Sequence, residues 1–218
     1  MRIIDLSYRL DETCMTCGTP WHEKVKLRPL GTLDTVGRNT HSITLGSHTG
    51  THMDAPLHFI QGAEGIDKVS LEKICGPCTV VDMSHKGRGS VVDKADVEGM
   101  EISRRMLFRF LWFRQWQTDT FYKGFPYFSE EAAQFLVDMG MRVIALDTPS
   151  PDDGSAIRCM DDSPVHRIFL KNDVTIIEYL TDTDKLDPAK KYSLFALPLK
   201  IKDCDGAPSR VIMVEEEA

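Results

Sequence analysis

The chain predicts an α/β (α+β) fold, a mixed β-sheet with flanking helices in one domain covering residues 1–218. Short apolar or alternating runs recur from end to end, one segment alone reads as a long helix, and no repeat or low-complexity linker divides the chain. Strand-rich order with few long helices favours a mixed sheet over a doubly wound parallel one. At 218 residues such a chain can bury a proper core.

Taken in order, strands are expected over 3–10, 42–45, 79–83, 106–113, 142–147, 174–180, 192–197 and 211–214. Apolar runs such as Thr79-Val80-Val81-Asp82-Met83 suit a sheet. The clearest helix covers 130–139: Ser129 is a good N-cap, Glu130 and Glu131 favour the positive end of the dipole, and Gly140 ends it. Shorter helices are expected over 70–74 and 164–170.

The most informative stretch is Ser47-His48-Thr49-Gly50-Thr51-His52-Met53-Asp54-Ala55-Pro56-Leu57-His58-Phe59. His48, His52, Asp54 and His58 all carry even numbers, so an extended backbone turns them to one face. Neutral imidazole and carboxylate are the ligands that divalent zinc, manganese or iron prefer. The i, i+4 spacing of His48 and His52 would also suit a zinc-binding helix, but Gly50 and Pro56 disfavour one. A straight strand advances about 3.3 Å per residue, so His48 reaches the others only if the chain bends, which Gly50 allows. The motif therefore belongs on a strand running into a tight loop. A second carboxylate, Glu178, shares an alternating apolar face with Val174, Ile176 and Leu180, where it must be paired, protonated or bound to a metal.

The run His48-Thr-Gly-Thr-His52-Met-Asp54-Ala-Pro-Leu-His58 resembles the H-x-G-T-H-x-D-x-P-x-H signature of the cyclase family of metal-dependent hydrolases, which includes bacterial kynurenine formamidase and isatin hydrolase. Ile3-Ile4-Asp5-Leu6-Ser7, Ala145-Leu146-Asp147-Thr148-Pro149-Ser150, Ile176-Ile177-Glu178, Ala196-Leu197-Pro198-Leu199-Lys200 and Asp205-Gly206-Ala207-Pro208-Ser209-Arg210 extend the likeness. The resemblance implies a swivelling β/β/α architecture. It implies His48, His52, Asp54, His166 and Glu178 as ligands of one or two divalent ions, zinc or manganese, with Asp54 and Glu178 able to bridge. It implies His58 as the proton-transfer residue and a homodimer or homotetramer as the assembly. Asp147, at the end of an apolar strand, is expected to cap its loop or to orient the site from behind the ligands. Trp21 and Phe59 are candidate substrate contacts. Phe108, Phe110, Trp112, Phe113 and Trp116 are assigned to core or interface more simply than to a pocket.

The expected function is metal-assisted hydrolysis of an amide, formamide, lactam, lactone or ester bond in a small substrate, aromatic substrates included. A cyclase or dehydratase using the same ion, and a non-catalytic metal-binding protein, are the alternatives. The segment Cys17-Gly18-Thr19-Pro20-Trp21-His22 departs from the family's W-P-G-D-type segment, and Arg109-Phe110 replaces its common R-T strand ending, which leaves the substrate open. A net charge of −7 without a basic run argues against nucleic acid or an anionic membrane. No apolar stretch of spanning length and no signal-like segment follows Met1, so a cytoplasmic location is expected. Six cysteines include Cys14-x-x-Cys17 and Cys75-x-x-Cys78, too far apart for ordinary zinc-ribbon spacing, and free thiols are expected.

Overall fold

A computed structural model describes residues 1–155 and 162–216. Its strands are β1 (Arg2–Asp5), β2 (Lys26–Gly31), β3 (Thr40–Thr44), β4 (His52–Asp54), β5 (Cys75–Asp82), β6 (Val91–Val92), β7 (Arg105–Arg109), β8 (Tyr127–Phe128), β9 (Val143–Leu146), β10 (Thr175–Glu178), β11 (Tyr192–Pro198) and β12 (Gly206–Glu215). The main sheet runs β1-β12-β11-β5-β7-β9-β10-β4, and β4 pairs back onto β12, so the strands from β12 round to β4 close into a ring. Pairings β5–β7, β7–β9 and β9–β10 are parallel and the remaining ones of this sheet antiparallel, which makes the sheet mixed as expected. The long β12 permits closure: its first residues pair with β4 and its last with β1.

Alternation along the strands sorts the core into two layers. Met53, Leu107, Ala145, Ile177, Leu194, Ala207 and Met213 pack on one side of the strands. Met106, Phe108, Ile144, Leu146 and Ile176 face the other, where α3 (Lys94–Val97), α4 (Glu130–Asp138) and α5 (Pro164–Lys171) cover them. Phe169 of α5 is fully buried there, a burial that stabilises by about 2–3 kcal/mol. In α4 the Ser129 hydroxyl accepts from Ala132 N at 3.2 Å, the cap its sequence predicts. Shorter helices are α1 (Leu33–Val36) and α2 (Leu71–Ile74).

Three strands stop earlier than their apolar patterns suggest. The first ends at Asp5, and Ser7 retains only an isolated bridge to Leu180. The run 106–113 stops at Arg109, because Leu111 adopts a left-handed φ of 59° and a 3₁₀ turn follows over Trp112–Gln115. The run 174–180 stops at Glu178, because Tyr179 has φ 56°. That reversal moves Leu180 away from the face of Val174 and Ile176 into the opposite layer, correcting the expected shared face. The strand expected over 42–45 is present as β3, but its hairpin partner β2 and the α1 between them were not anticipated, since exposed residues such as Leu27, Leu30, Leu33 and Val36 follow no buried-face pattern.

Candidate metal centre and pocket

Residue pairing between β4 and β10 brings the centre together. Glu178 lies opposite His52 and Ile176 opposite Asp54, so His52, Asp54 and Glu178 project from the same face of adjacent strands. The expected common face holds for His52 and Asp54 only. His48 returns to Asp54 through the turn at Gly50, whose φ of 60° suits glycine, and Thr49 Oγ1 accepts from Gly46 N at 2.9 Å to hold that turn. His58 arrives from the other side, at the end of a 3₁₀ turn that begins at Pro56. His166 comes from the first turns of α5. The Thr51 hydroxyl donates to the Tyr179 carbonyl at 2.6 Å, bracing the strained residue beside Glu178.

Hydrogen bonds on the outer edge of three imidazoles determine what their inner edges offer. His52 Nδ1 donates to the Gly50 carbonyl at 2.8 Å, His166 Nδ1 to Asp152 at 2.5 Å, and His48 Nε2 to Asp205 at 2.7 Å. The remaining nitrogens point inward. His52 Nε2 is 3.4 Å from Asp54 and 3.3 Å from Glu178, His166 Nε2 is likewise 3.4 and 3.3 Å from them, and His48 Nδ1 is 2.9 Å from Asp54. These contacts lack hydrogen-bond geometry: both Asp54 carboxylate oxygens and Glu178 Oε1 are buried without a donor. Burial lowers the proton affinity of His52, but the Asp54 and Glu178 carboxylates overcome it and hold the imidazole up to about 10. His166 is raised well above its ordinary value against the same burial, with Asp152, Asp54 and Glu178 as the cause.

Such a centre calls for a cation. Without an ion, the imidazoles relieve these buried carboxylates only by taking up protons, whereas a divalent ion among them could bind the carboxylates and the inner nitrogens of neutral imidazoles together. The donor set thus fits a metal. Among the described residues two trios have ligand atoms within 4.8 Å of one another, His52–Asp54–Glu178 and His48–Asp54–His58, with Asp54 common to both. Neither trio contains a cysteine. Cys14, Cys17, Cys75, Cys78 and Cys204 are free thiols, and Cys159 lies outside the described residues.

A pocket opens over this centre, lined by Trp21, His22, Phe59, Tyr122, Phe125 and Tyr179 together with His48, His52, His58, His166 and Glu178. Phe59 packs on His58 and His166, with ring centroids 4.4 and 4.9 Å apart, while Trp21 is 75% exposed at the rim. Tyr122, Phe125 and Tyr179 were not anticipated as pocket walls. Phe108 and Phe110 are core residues, as expected. Asp147 is fully buried and accepts from Phe110 N at 2.9 Å, Leu111 N at 2.8 Å and Thr183 Oγ1 at 2.6 Å, which anchors the chain as it leaves β7. Sequence reasoning also missed Asp152 and Asp205, whose partners lie far along the chain.

A closed mixed sheet carrying a buried His/Asp/Glu centre beneath an aromatic pocket defines a metal-dependent hydrolase. The chain belongs to the Cyclase family, whose model matches residues 4–153. A kynurenine formamidase from Erythrobacter litoralis is 35% identical over 182 residues, 81% of this chain and 77% of that protein. Isatin hydrolase A from Labrenzia aggregata, solved bound to benzyl benzoate, superposes with a TM-score of 0.84 at 26% identity, over 99% of this chain and 94% of that one. A solved potential metal-dependent hydrolase with cyclase activity superposes with a TM-score of 0.76 at 25% identity, over 100% and 99% of the two chains.

Proposed function

We propose that the chain hydrolyses an N-formyl or cyclic amide on a small aromatic substrate, using one or two zinc or manganese ions held by His48, His52, Asp54, His166 and Glu178. The observation that carries this reading is the convergence of three inner imidazole nitrogens on two donor-starved carboxylates beneath an aromatic pocket. Kynurenine formamidases act on an aryl formamide and isatin hydrolases on a cyclic amide, as their names state, and both relatives resemble this chain. When bound, a divalent ion supplies water acidified to near neutral pH and a Lewis acid for the carbonyl oxygen. The remaining work falls to side chains. Phe59, Trp21 and Tyr179 hold the aromatic ring, and their apolar faces exclude water from the scissile bond. His58 takes a proton from the attacking water and returns it to the leaving nitrogen. Burial keeps that imidazole below its ordinary proton affinity despite Asp205 and Asp54, so it stands ready as a base.

The deciding experiment measures metal content per chain for wild type and His52→Ala, purified without a metal-binding tag. The screen that follows uses N-formylkynurenine and isatin. Wild type is expected to hold about one or two ions and His52→Ala none; equal contents in both would end this reading. Labelled water separates hydrolysis from cyclase or dehydratase chemistry, because only hydrolysis incorporates solvent oxygen into the product. A second reading makes His58 a ligand, favoured by its place in a trio with His48 and Asp54. His58→Ala decides: retained metal with turnover reduced about 10²–10⁴-fold supports proton transfer, and joint loss of metal and turnover supports ligation.

The protein is further read as a cytoplasmic homodimer or homotetramer. Among the described residues no helix is long and apolar enough to cross a membrane. The exposed apolar residues of the β2–β3 hairpin suit burial against another copy better than exposure to water. Light scattering on the purified protein gives the assembly mass, and a monomer would reject this part.

A further inference from the structure

We infer that Asp205 is a positioning residue that sets the tautomers of His48 and His58 together, leaving His48 Nδ1 free for the ion and His58 Nε2 free for the proton. The inference rests on the reading of His58 as proton carrier. One oxygen, Asp205 Oδ2, lies 2.7 Å from His48 Nε2 and 3.3 Å from His58 Nδ1. A carboxylate only accepts, so the hydrogen bond from His48 Nε2 leaves Nδ1 of the neutral ring bare, and the longer contact of His58 Nδ1 with the same oxygen favours the hydrogen on that nitrogen and a bare Nε2. The two rings pack together with centroids 4.0 Å apart, which brings both edges to the same oxygen.

The backbone holds this carboxylate in place. The Asp205 carbonyl accepts from Ala55 N at 2.9 Å, tying it to the residue after Asp54, and the next residue, Gly206, pairs with Asp54 across the β4–β12 junction. A Cβ at Gly206 would lie 2.8 Å from the Met53 carbonyl and 2.9 Å from His48 Cε1, so glycine is what lets His48 approach β12. Asp205 thus stands at the seam where the ring closes, and a single side chain there governs two functional imidazoles drawn from opposite sides of β4. Its side chain remains 39% exposed, so replacing it does not open the core.

The test combines Asp205→Asn, Asp205→Ser, His58→Ala and the double variant Asp205→Asn/His58→Ala, all loaded with zinc and checked for folding by circular dichroism. Nitrogen-15 correlation spectra of the histidines give a readout independent of activity. Because zinc on His48 Nδ1 would itself hold the hydrogen on Nε2, the His48 tautomer is read after zinc is stripped and the His58 tautomer with zinc present. Wild type is expected to show His58 protonated at Nδ1 and His48 at Nε2, and both Asp205 variants to redistribute these tautomers. Competition with a chelator should show zinc affinity falling about 10–100-fold through His48. At saturating zinc, kcat for N-formylkynurenine or isatin should still fall about 10–100-fold with KM within about twofold. The double variant should be no slower than His58→Ala alone. Unchanged tautomers in the Asp205 variants overturn the inference, as does full recovery of kcat by excess zinc or multiplication of the two losses in the double variant. Wild-type turnover in His58→Ala would instead overturn the parent reading, and this one with it.

Discussion

At the residue scale, the outer hydrogen bond of each imidazole decides which nitrogen faces the centre. Gly50, Asp152 and Asp205 each accept from one ring, and the freed nitrogens turn to Asp54 and Glu178. Glu178→Gln keeps the shape of the side chain but removes one of two buried anions, so metal affinity should fall by at least about 10-fold, measured by chelator competition. Gly206→Ala tests the approach of His48 to β12. The added methyl meets a backbone oxygen that cannot move alone, and a loss of about 1–3 kcal/mol in unfolding free energy is expected together with weakened metal binding. Retained stability and affinity in this variant would mean that the junction is looser than the contact distances show. Of the proposed ligands, His166 was implied only by the family resemblance, whereas His48, His52 and Asp54 were readable because imidazole and carboxylate cluster over a few positions, and Glu178 because a carboxylate stands in an apolar run. Asp152 and Asp205 were not: each binds its histidine through a contact 14 or 157 residues away in sequence.

At the element scale, periodicity found the strands and misplaced their ends. Leu111 and Tyr179 leave the extended region through left-handed conformations, and neither residue type announces such a reversal. Asp147 holds one of these ends. Burial pushes its carboxyl up to about 6, against the donors from Thr183, Phe110 and Leu111. The native state therefore keeps this proton longer than the unfolded chain. Its contribution to stability is full below the unfolded value of about 4 and is lost as pH rises through about 6, a change of about 3 kcal/mol. Asp147→Asn cannot titrate. Relative to the wild type, its unfolding free energy should therefore climb by roughly that amount from pH 4 to pH 7 in urea titrations. Parallel pH profiles would show that the buried carboxyl titrates as it does in the unfolded chain. The α4 cap was legible because it is local: Ser129 and Ala132 are three residues apart.

At the scale of the whole molecule, the ring closure between β4 and β12 makes the centre. Without it Asp205 would not reach His48. A centre assembled from β4, β10, α5 and the β12 junction links metal binding to folding. Stripping the ion with a chelator is expected to lower the melting temperature by about 5–10 °C when the ion is present at about 100 times its dissociation constant. Calorimetry before and after chelation measures the shift, and an unchanged melting temperature would show that the centre does not hold its ion in the purified protein.

The sequence by itself determined the chemistry: four suitable groups within eleven positions, a second carboxylate in an apolar run, a mixed strand-rich order and one well-capped helix. These signals are local, carried by residue type, spacing and short-range capping, so a linear reading recovers them. Only the tertiary structure decided which nitrogen of each histidine faces inward, which aromatic residues wall the pocket, and where each strand ends. Those outcomes depend on contacts between distant segments and on backbone reversals at ordinary residues. Their energies come from packing and hydrogen bonding across the closed ring, which leave no periodic trace along the chain.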